Sequence, residues 1–135
     1  MRMGTMDRPT QFLLGRRGLL DVNRLTELRD ILPPRDLRSL IADVISVVQS
    51  CTRAIRTTRG RATDETLRQA YDLYGTAANF GLIPLASAAE RVVAHAKTGK
   101  AAGLTEEART LVSLGETTVE ALLVWIDHAA PEKAA

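Results

Sequence analysis

Aromatic residues and cysteine are scarce in this sequence. Phe, Trp and Tyr make up 4% of the 135 residues, although hydrophobic residues make up 45%. A core of this composition must consist mainly of Leu, Val, Ile and Ala, which favours packed helices over a sheet. The single cysteine, Cys51, excludes an intrachain disulfide, and this cysteine usage fits a reducing cytoplasm.

Long hydrophobic runs are also missing. The longest stretch without a formal charge, 73–89, is interrupted by Gly75, Asn79, Gly81 and Pro84, so it would make a poor membrane span. The first residues, 1–8, are polar and charged and contain no signal-peptide core. We therefore expect a cytoplasmic protein without a membrane partner.

Side chains suited to catalysis or metal binding are few. The two histidines, His95 and His128, are distant from each other and from Cys51, which gives no metal-ligand spacing. No glycine-rich phosphate loop follows a strand, and no nucleophile, base and acid form a pattern. We interpret His95 as a surface residue near a helix end and His128 as part of the tail. The sequence therefore predicts no enzymatic activity, no cofactor and no metal.

Apolar residues recur at three- and four-residue steps in five segments, which predicts amphipathic helices. The predicted helices cover about 22–31, 35–58, 64–80 and 84–97, and a last one follows an N-cap at Thr105. Residues 98–103 are predicted to form a loop, and Ile31 and Leu123 are assigned to inner helix faces. The predicted fold is all-α: an antiparallel four-helix bundle over residues 21–128 with a short N-terminal capping helix. Residues 1–20 and 129–135 are assigned to flexible tails.

A basic cluster closes the second predicted helix. Arg53, Arg56, Arg59 and Arg61 occur there without an acidic neighbour, and Gly60 supplies the stop. Cations are favoured near a helix C-terminus, so we interpret the cluster as a solvated helix end, with a docking patch for an acidic partner as the alternative. The net charge of +2 and the lack of interleaved aromatic residues both argue against nucleic-acid binding.

The segment 70–81 reads Ala-Tyr-Asp-Leu-Tyr-Gly-Thr-Ala-Ala-Asn-Phe-Gly. It resembles the signature of histidine phosphotransfer (HPt) domains. In that signature an alanine and the phosphorylated histidine precede a small residue, Leu, Lys and Gly, and then small residues and Asn-x-Gly. The matching positions are Ala70, Leu73, Gly75, Ala77, Ala78, Asn79 and Gly81. The resemblance covers roughly residues 20–127 and implies an HPt-like bundle whose partner is a response-regulator receiver domain or a histidine kinase.

The two chemical positions of the signature are changed. Tyr71 stands at the position of the phospho-accepting histidine, and Tyr74 stands at that of the lysine. A phenol is mostly protonated at neutral pH, and an aryl phosphate lacks the labile P–N bond that makes the histidine step reversible. The resemblance therefore implies a pseudo-phosphotransfer protein, which binds a two-component partner without carrying phosphate.

The predicted partner-binding residues lie on the flank of the third helix. They are Arg68, Tyr71, Asp72, Tyr74, Gly75 and Ala78. We expect Tyr71 to be exposed, since tyrosine is enriched at interface hot spots, and Tyr74 to pack partly into the core. A glycine inside a helix costs stability. Gly75 is thus explained either by clearance for a docking protein or by close packing against a neighbouring helix.

Two other functions remain open at this point. One is a phosphorelay protein that uses a non-standard phospho-acceptor. The other is a helical adaptor that is unrelated to phosphorelays and shares the Ala-x-x-Leu-x-Gly spacing by convergence. The sequence assigns no oligomeric state.

Overall fold

The computed structural model describes residues 18–58, 64–98 and 101–131, and within these ranges it contains five helices and no strand. The helices are α1 (Val22–Ile31), α2 (Pro34–Thr58), α3 (Asp64–Asn79), α4 (Ile83–Thr98) and α5 (Ala101–Ala129). The all-α prediction is confirmed for this part of the chain. The predicted N-cap Thr63, together with Arg59, Gly60 and Arg61, lies outside the described residues.

The long helices contact one another in a cyclic order. Helix α2 packs against α3 and α5, and α4 likewise packs against α3 and α5. Helix α1 makes a smaller contact with α2. All five helices contribute residues to one hydrophobic core. No helix in the described ranges has both the length and the apolar character needed to cross a bilayer.

The turn between α3 and α4 anchors α1. Gly81 has a φ of +73°, and the amide of Leu82 donates to the carbonyl of Ala77 at 2.8 Å, which is the six-to-one bond of a Schellman motif. The amide of Asp21 donates to the Gly81 carbonyl at 2.8 Å, and Arg24 Nε donates to the Asn79 carbonyl at 2.7 Å. The predicted helix stop at Gly81 is therefore confirmed, and it also positions the start of α1.

The core is aliphatic apart from one tryptophan. Leucine, isoleucine, valine and alanine fill it, as the composition predicts, but its largest fully buried side chain is Trp125, which is 1% exposed. The periodic pattern did not assign Trp125 to the inner face of α5. The assignments of Ile31 and Leu123 to inner faces are wrong, since these side chains are 73% and 52% exposed.

Residues from both segments assigned to tails belong to the packed structure. Leu19 and Leu20 are each only 4% exposed and belong to the core, although both lie in the segment assigned to the N-terminal tail. At the other end Ala130 is 2% exposed. Arg38 Nη1 donates to the carbonyls of Ala130 and Pro131 at 3.3 Å each. Core burial and these hydrogen bonds fix the positions of Leu19, Leu20, Ala130 and Pro131, although no helical periodicity in the sequence includes them.

Helix α5 begins earlier than the sequence predicts. It starts at Ala101, so Thr105 is a helical residue. The predicted loop over 98–103 is wrong for Thr98, which ends α4, and for residues 101–103, whereas residues 99 and 100 lie outside the described residues. Alanine has the highest helix propensity, which favours starting the helix there. A Cβ at Gly103 would lie 2.6 Å from His95 Cδ2, so the glycine lets the His95 ring of α4 approach the α5 backbone.

A second close approach joins α2 and α5. A Cβ on Gly115 would lie 2.6 Å from Thr52 Cγ2 and 3.6 Å from Val48 Cγ1. The Thr52 hydroxyl is held by hydrogen bonds to the carbonyls of Val48 (2.9 Å) and Gln49 (3.1 Å). Because this rotamer directs Cγ2 at α5, a Cβ at position 115 would require Thr52 to leave this hydrogen-bonded rotamer or the two helices to move apart.

We predict that Gly115→Ala lowers the free energy of unfolding by about 1–2 kcal/mol, because overpacking outweighs the gain in helix propensity. In the Thr52→Ser background, which removes Cγ2 and retains the hydroxyl, the same change should be neutral or stabilising. Urea unfolding followed by tryptophan fluorescence measures both. Stabilisation by Gly115→Ala in the wild-type background would contradict the close approach.

One buried hydroxyl has no hydrogen bond. Thr118 is fully buried, and its Oγ1 finds no hydrogen-bond partner among the described residues. A buried polar group without a partner costs free energy. The neighbouring Thr117 differs, since its hydroxyl donates to the Ser113 carbonyl at 3.1 Å.

We predict that Thr118→Val raises the free energy of unfolding by about 1–2 kcal/mol, because it replaces an unsatisfied hydroxyl with a methyl group of similar volume. Thr117→Val is the matched control and should change stability little. Both are measured by urea unfolding at constant pH. A loss of stability in Thr118→Val would mean that the hydroxyl is satisfied.

Candidate functional site: the exposed flank of helix α3

Helix α3 buries one stripe, partly buries Leu67, Gln69 and Thr76, and exposes its other side. Ala70, Leu73 and Ala77 are fully buried. All six predicted partner-binding residues are exposed: Arg68, Tyr71, Asp72, Tyr74, Gly75 and Ala78. We call this set the α3 flank.

The two tyrosines lie at the surface. Tyr71 is 45% exposed, so the prediction that its side chain is accessible is confirmed. Tyr74 is 37% exposed. It belongs neither to the core cluster nor to the partly buried residues packed against that cluster, so the prediction that it packs partly into the core is not confirmed. Tyr74 lies at the edge of the buried stripe, because four residues after Ala70 correspond to a rotation of only about 40°.

Gly75 faces open space. No atom lies within 4 Å of the position that a Cβ on this residue would occupy. The explanation of Gly75 by close packing against a neighbouring helix is therefore wrong for the described residues. The missing side chain serves no contact within this part of the chain, in contrast to Gly103 and Gly115.

A groove lies on each side of the α3 flank. The α3/α4 groove has a volume of about 330 Å3 and is lined by Tyr71, Tyr74, Glu90, Val93, Ala94 and Lys97. The α2/α3 groove has a volume of about 590 Å3 and is lined by Ser46, Val47, Ser50, Cys51, Arg68, Gln69, Asp72 and Thr76. By helical position Gly75 falls between the two grooves. The predicted site residues thus separate into a tyrosine side and a charged side.

Arg68 is already engaged within its own helix. Its Nη2 donates to both carboxylate oxygens of Glu65, at 2.7 and 2.9 Å, and Gln69 Nε2 donates to Glu65 Oε2 at 2.7 Å. The hydrogen bond from Arg68 is the main cause that lowers the pKa of Glu65, and the same bond raises the pKa of Arg68. The charge of Arg68 is therefore compensated locally.

The cation beside Tyr71 is Lys97 of α4. Its Nζ lies 5.3 Å from the centroid of the Tyr71 ring, which is a cation–π distance. Lys97 is not among the residues predicted from the sequence, since nothing in a single sequence links a residue of α4 to one of α3. The available signal was the spacing of Glu90, Val93 and Lys97, which places them on one side of a helix.

Neither histidine lines a groove of the α3 flank. His95 is half-buried rather than a fully exposed surface residue, and its Nδ1 donates to the Arg91 carbonyl at 3.0 Å. A Cβ on Gly103 would lie 2.7 Å from its Nε2, so this second ring nitrogen lies beside the α5 backbone. His128 is exposed, and its Nδ1 donates to the Val124 carbonyl at 3.0 Å.

Cys51 borders the α2/α3 groove but is buried. Burial is the main cause that raises the pKa of its thiol above the ordinary value; the nearby Asp72 carboxylate raises it further, and Arg68 acts in the opposite direction. The pKa of the thiol therefore depends on the charges of Asp72 and Arg68 on the flank.

Within the described ranges, no three His, Cys, Asp or Glu side chains are grouped so that they could hold a metal ion.

We predict that Asp72→Asn lowers the pKa of Cys51 and speeds its alkylation by iodoacetamide at about pH 8, because a thiolate is the reacting form. Because the folded pKa is raised, the stability contributed by Cys51 is present below the unfolded pKa and is lost as the pH rises through the folded pKa. Asp43→Asn, which removes the same charge at an exposed position of α2, is the matched control. Equal rates in wild type and Asp72→Asn, with equal rates in urea, would contradict the assigned coupling.

Comparisons with known proteins add no relative to this description. Neither a family model nor a curated protein nor a solved structure matches the chain. The site is therefore defined by the resemblance of segment 70–81 and by the geometry of the α3 flank.

Proposed function

We propose that this chain is a pseudo-histidine-phosphotransfer protein of two-component signalling. It binds a receiver domain or a histidine kinase through the α3 flank and carries no phosphate. Binding then acts by occupancy, as a competitor, a scaffold or a brake.

The open position of Gly75 is the main support. A glycine within a helix costs up to about 1 kcal/mol relative to alanine, and no described residue needs the space that Gly75 leaves. A partner that approaches the backbone of α3 would need that space. An exposed tyrosine one turn before Gly75 supplies large and fairly rigid contact area, which suits the centre of an interface.

The contacts between helices support an HPt-like antiparallel four-helix bundle. The cyclic order of contacts among α2, α3, α4 and α5 is the order of an up-down-up-down bundle. A short turn at Gly81 joins α3 to α4, and short connections favour antiparallel neighbours. The short α1 then caps one end.

The chemistry at position 71 supports binding without transfer. A tyrosine hydroxyl does not form the labile P–N bond of a phosphohistidine relay. The Lys97 ammonium lies over the face of the Tyr71 ring, where it stabilises the ring orientation through a cation–π contact. Such a pair presents an ordered surface to a partner.

We predict that Gly75→Arg and Tyr71→Ala each weaken binding to the cognate receiver domain or kinase by about tenfold or more. The first substitution fills the space that the partner needs, and the second removes the large side chain at the centre of the interface. Gly75→Ala should raise the free energy of unfolding by about 1 kcal/mol without strengthening binding. Biolayer interferometry against a panel of purified receiver domains and kinases measures the affinities.

Matched controls lie on α5. Thr110→Arg adds the same charge at an exposed helical position, and Leu123→Ala removes a large exposed side chain. Both should bind as the wild type does. Binding that survives Gly75→Arg and Tyr71→Ala would exclude the α3 flank as the interface. If the chain retained radiolabel after incubation with a phosphorylated receiver, it would carry phosphate, and the proposal of binding without transfer would be contradicted.

A further inference from the structure

The α3/α4 groove carries opposite charges at its two ends. Glu90 and Lys97 both line it and both are exposed. They are seven residues apart on α4, which is about two turns and about 10.5 Å along the axis, on one side of the helix. Val93 and Ala94 lie between them, and Tyr71 and Tyr74 form the opposite wall.

Neither end charge is neutralised by an ion pair with another described residue. Other charged residues of α4 and α5 differ, since Arg91 Nε lies 3.0 Å from Glu107 Oε1. The described contact of Lys97 is with the Tyr71 ring, and a cation–π contact leaves the net charge in place. The groove thus has an apolar centre, a free carboxylate at one end and a free ammonium at the other.

We infer that the α3/α4 groove binds an amphipathic α-helix of a partner protein, and that Glu90 and Lys97 fix the direction of that helix. The helix runs in the same direction as α4. A basic residue in its first turns faces Glu90, and an acidic residue in its last turns faces Lys97. Apolar side chains at helical spacing enter the groove between them.

Two physical considerations select this occupant. A groove between two helices suits the apolar stripe of a third helix. A peptide that binds by strand addition would need the free edge of a sheet, and the described ranges contain no strand. The dipole of the bound helix has its positive end at Glu90 and its negative end at Lys97. The inference rests on the proposed role of the α3 flank as a docking surface, but not on the partner being a receiver domain.

The test uses two fluorescein-labelled amphipathic peptides of roughly 18 residues, long enough to form isolated helices. Both have the same composition and the same apolar stripe. The first has Lys at the groove-facing position of its N-terminal turns and Glu at that of its C-terminal turns, and the second has these two residues exchanged. Fluorescence anisotropy at low ionic strength measures their affinities, because salt screens exposed charges.

We predict that the wild-type chain prefers the first peptide by about 3- to 10-fold, as two exposed charge pairs allow, and that the double variant E90K/K97E prefers the second. The change of preference between the two proteins cancels any difference in intrinsic helicity between the peptides. A proline in the middle of the first peptide should abolish its binding, because it breaks the helix.

The matched control is E106K/R109E, which exchanges the charges of an exposed ion pair on α5 and should keep the wild-type preference. If E90K/K97E loses its helical circular dichroism, the single variants Glu90→Gln and Lys97→Gln replace it, and each should reduce the preference toward unity. The same preference in wild type and E90K/K97E, binding of neither peptide, or equal binding of the proline peptide would overturn the inference. Dimerisation of the chain that Lys97→Glu abolishes would also overturn it, since the occupant would then be a second copy.

The two proposals fail separately. A reversal of peptide preference with no binding to any receiver domain or kinase would remove the proposed partner and keep the helical occupant. Receiver binding that is sensitive to Gly75→Arg, with no peptide preference, would do the opposite.

Discussion

Burial of a narrow stripe of small and aliphatic residues on α3 determines the rest of the structure. Ala70, Leu73 and Ala77 are completely covered, and a helix has one fixed rotation of about 100° per residue. Once this stripe faces the core, Tyr71 and Gly75 must face outward. The grooves on its two sides are lined in part by side chains of the neighbouring helices α2 and α4. The exposed surface is thus a direct consequence of the core.

The glycines within the helices fall into two groups: those that close packing between helices explains, and Gly75, which it does not explain. Gly103 and Gly115 each lie where a Cβ would meet a side chain of a neighbouring helix at 2.6 Å, so internal packing accounts for them. Gly75 has the same cost in helix propensity and no such contact. Among the described residues, nothing fills the space beside Gly75, and this asymmetry distinguishes the α3 flank from the other described helix surfaces.

Local patterns predicted the helices and the stop at Gly81, because periodicity and glycine chemistry depend on near neighbours. The exposure of Tyr71 followed from the same reasoning. Features that depend on tertiary packing were missed. Trp125 became the largest buried residue, while Leu123 turned outward, since the apolar pattern of α5 is too wide to fix its rotation. Lys97 reached Tyr71 only through the contact between α3 and α4, which no single-sequence pattern records.

The distribution of aromatic residues gives this chain two separate optical signals. Both of its tyrosines line the α3/α4 groove, whereas its one tryptophan lies in the core. Tyrosine absorbance and emission therefore respond to events at the surface, and tryptophan emission responds to the integrity of the interior. A ligand that occupies the groove and leaves the fold intact would change the first signal and not the second, so the unlabelled protein distinguishes docking from unfolding by its own spectroscopy.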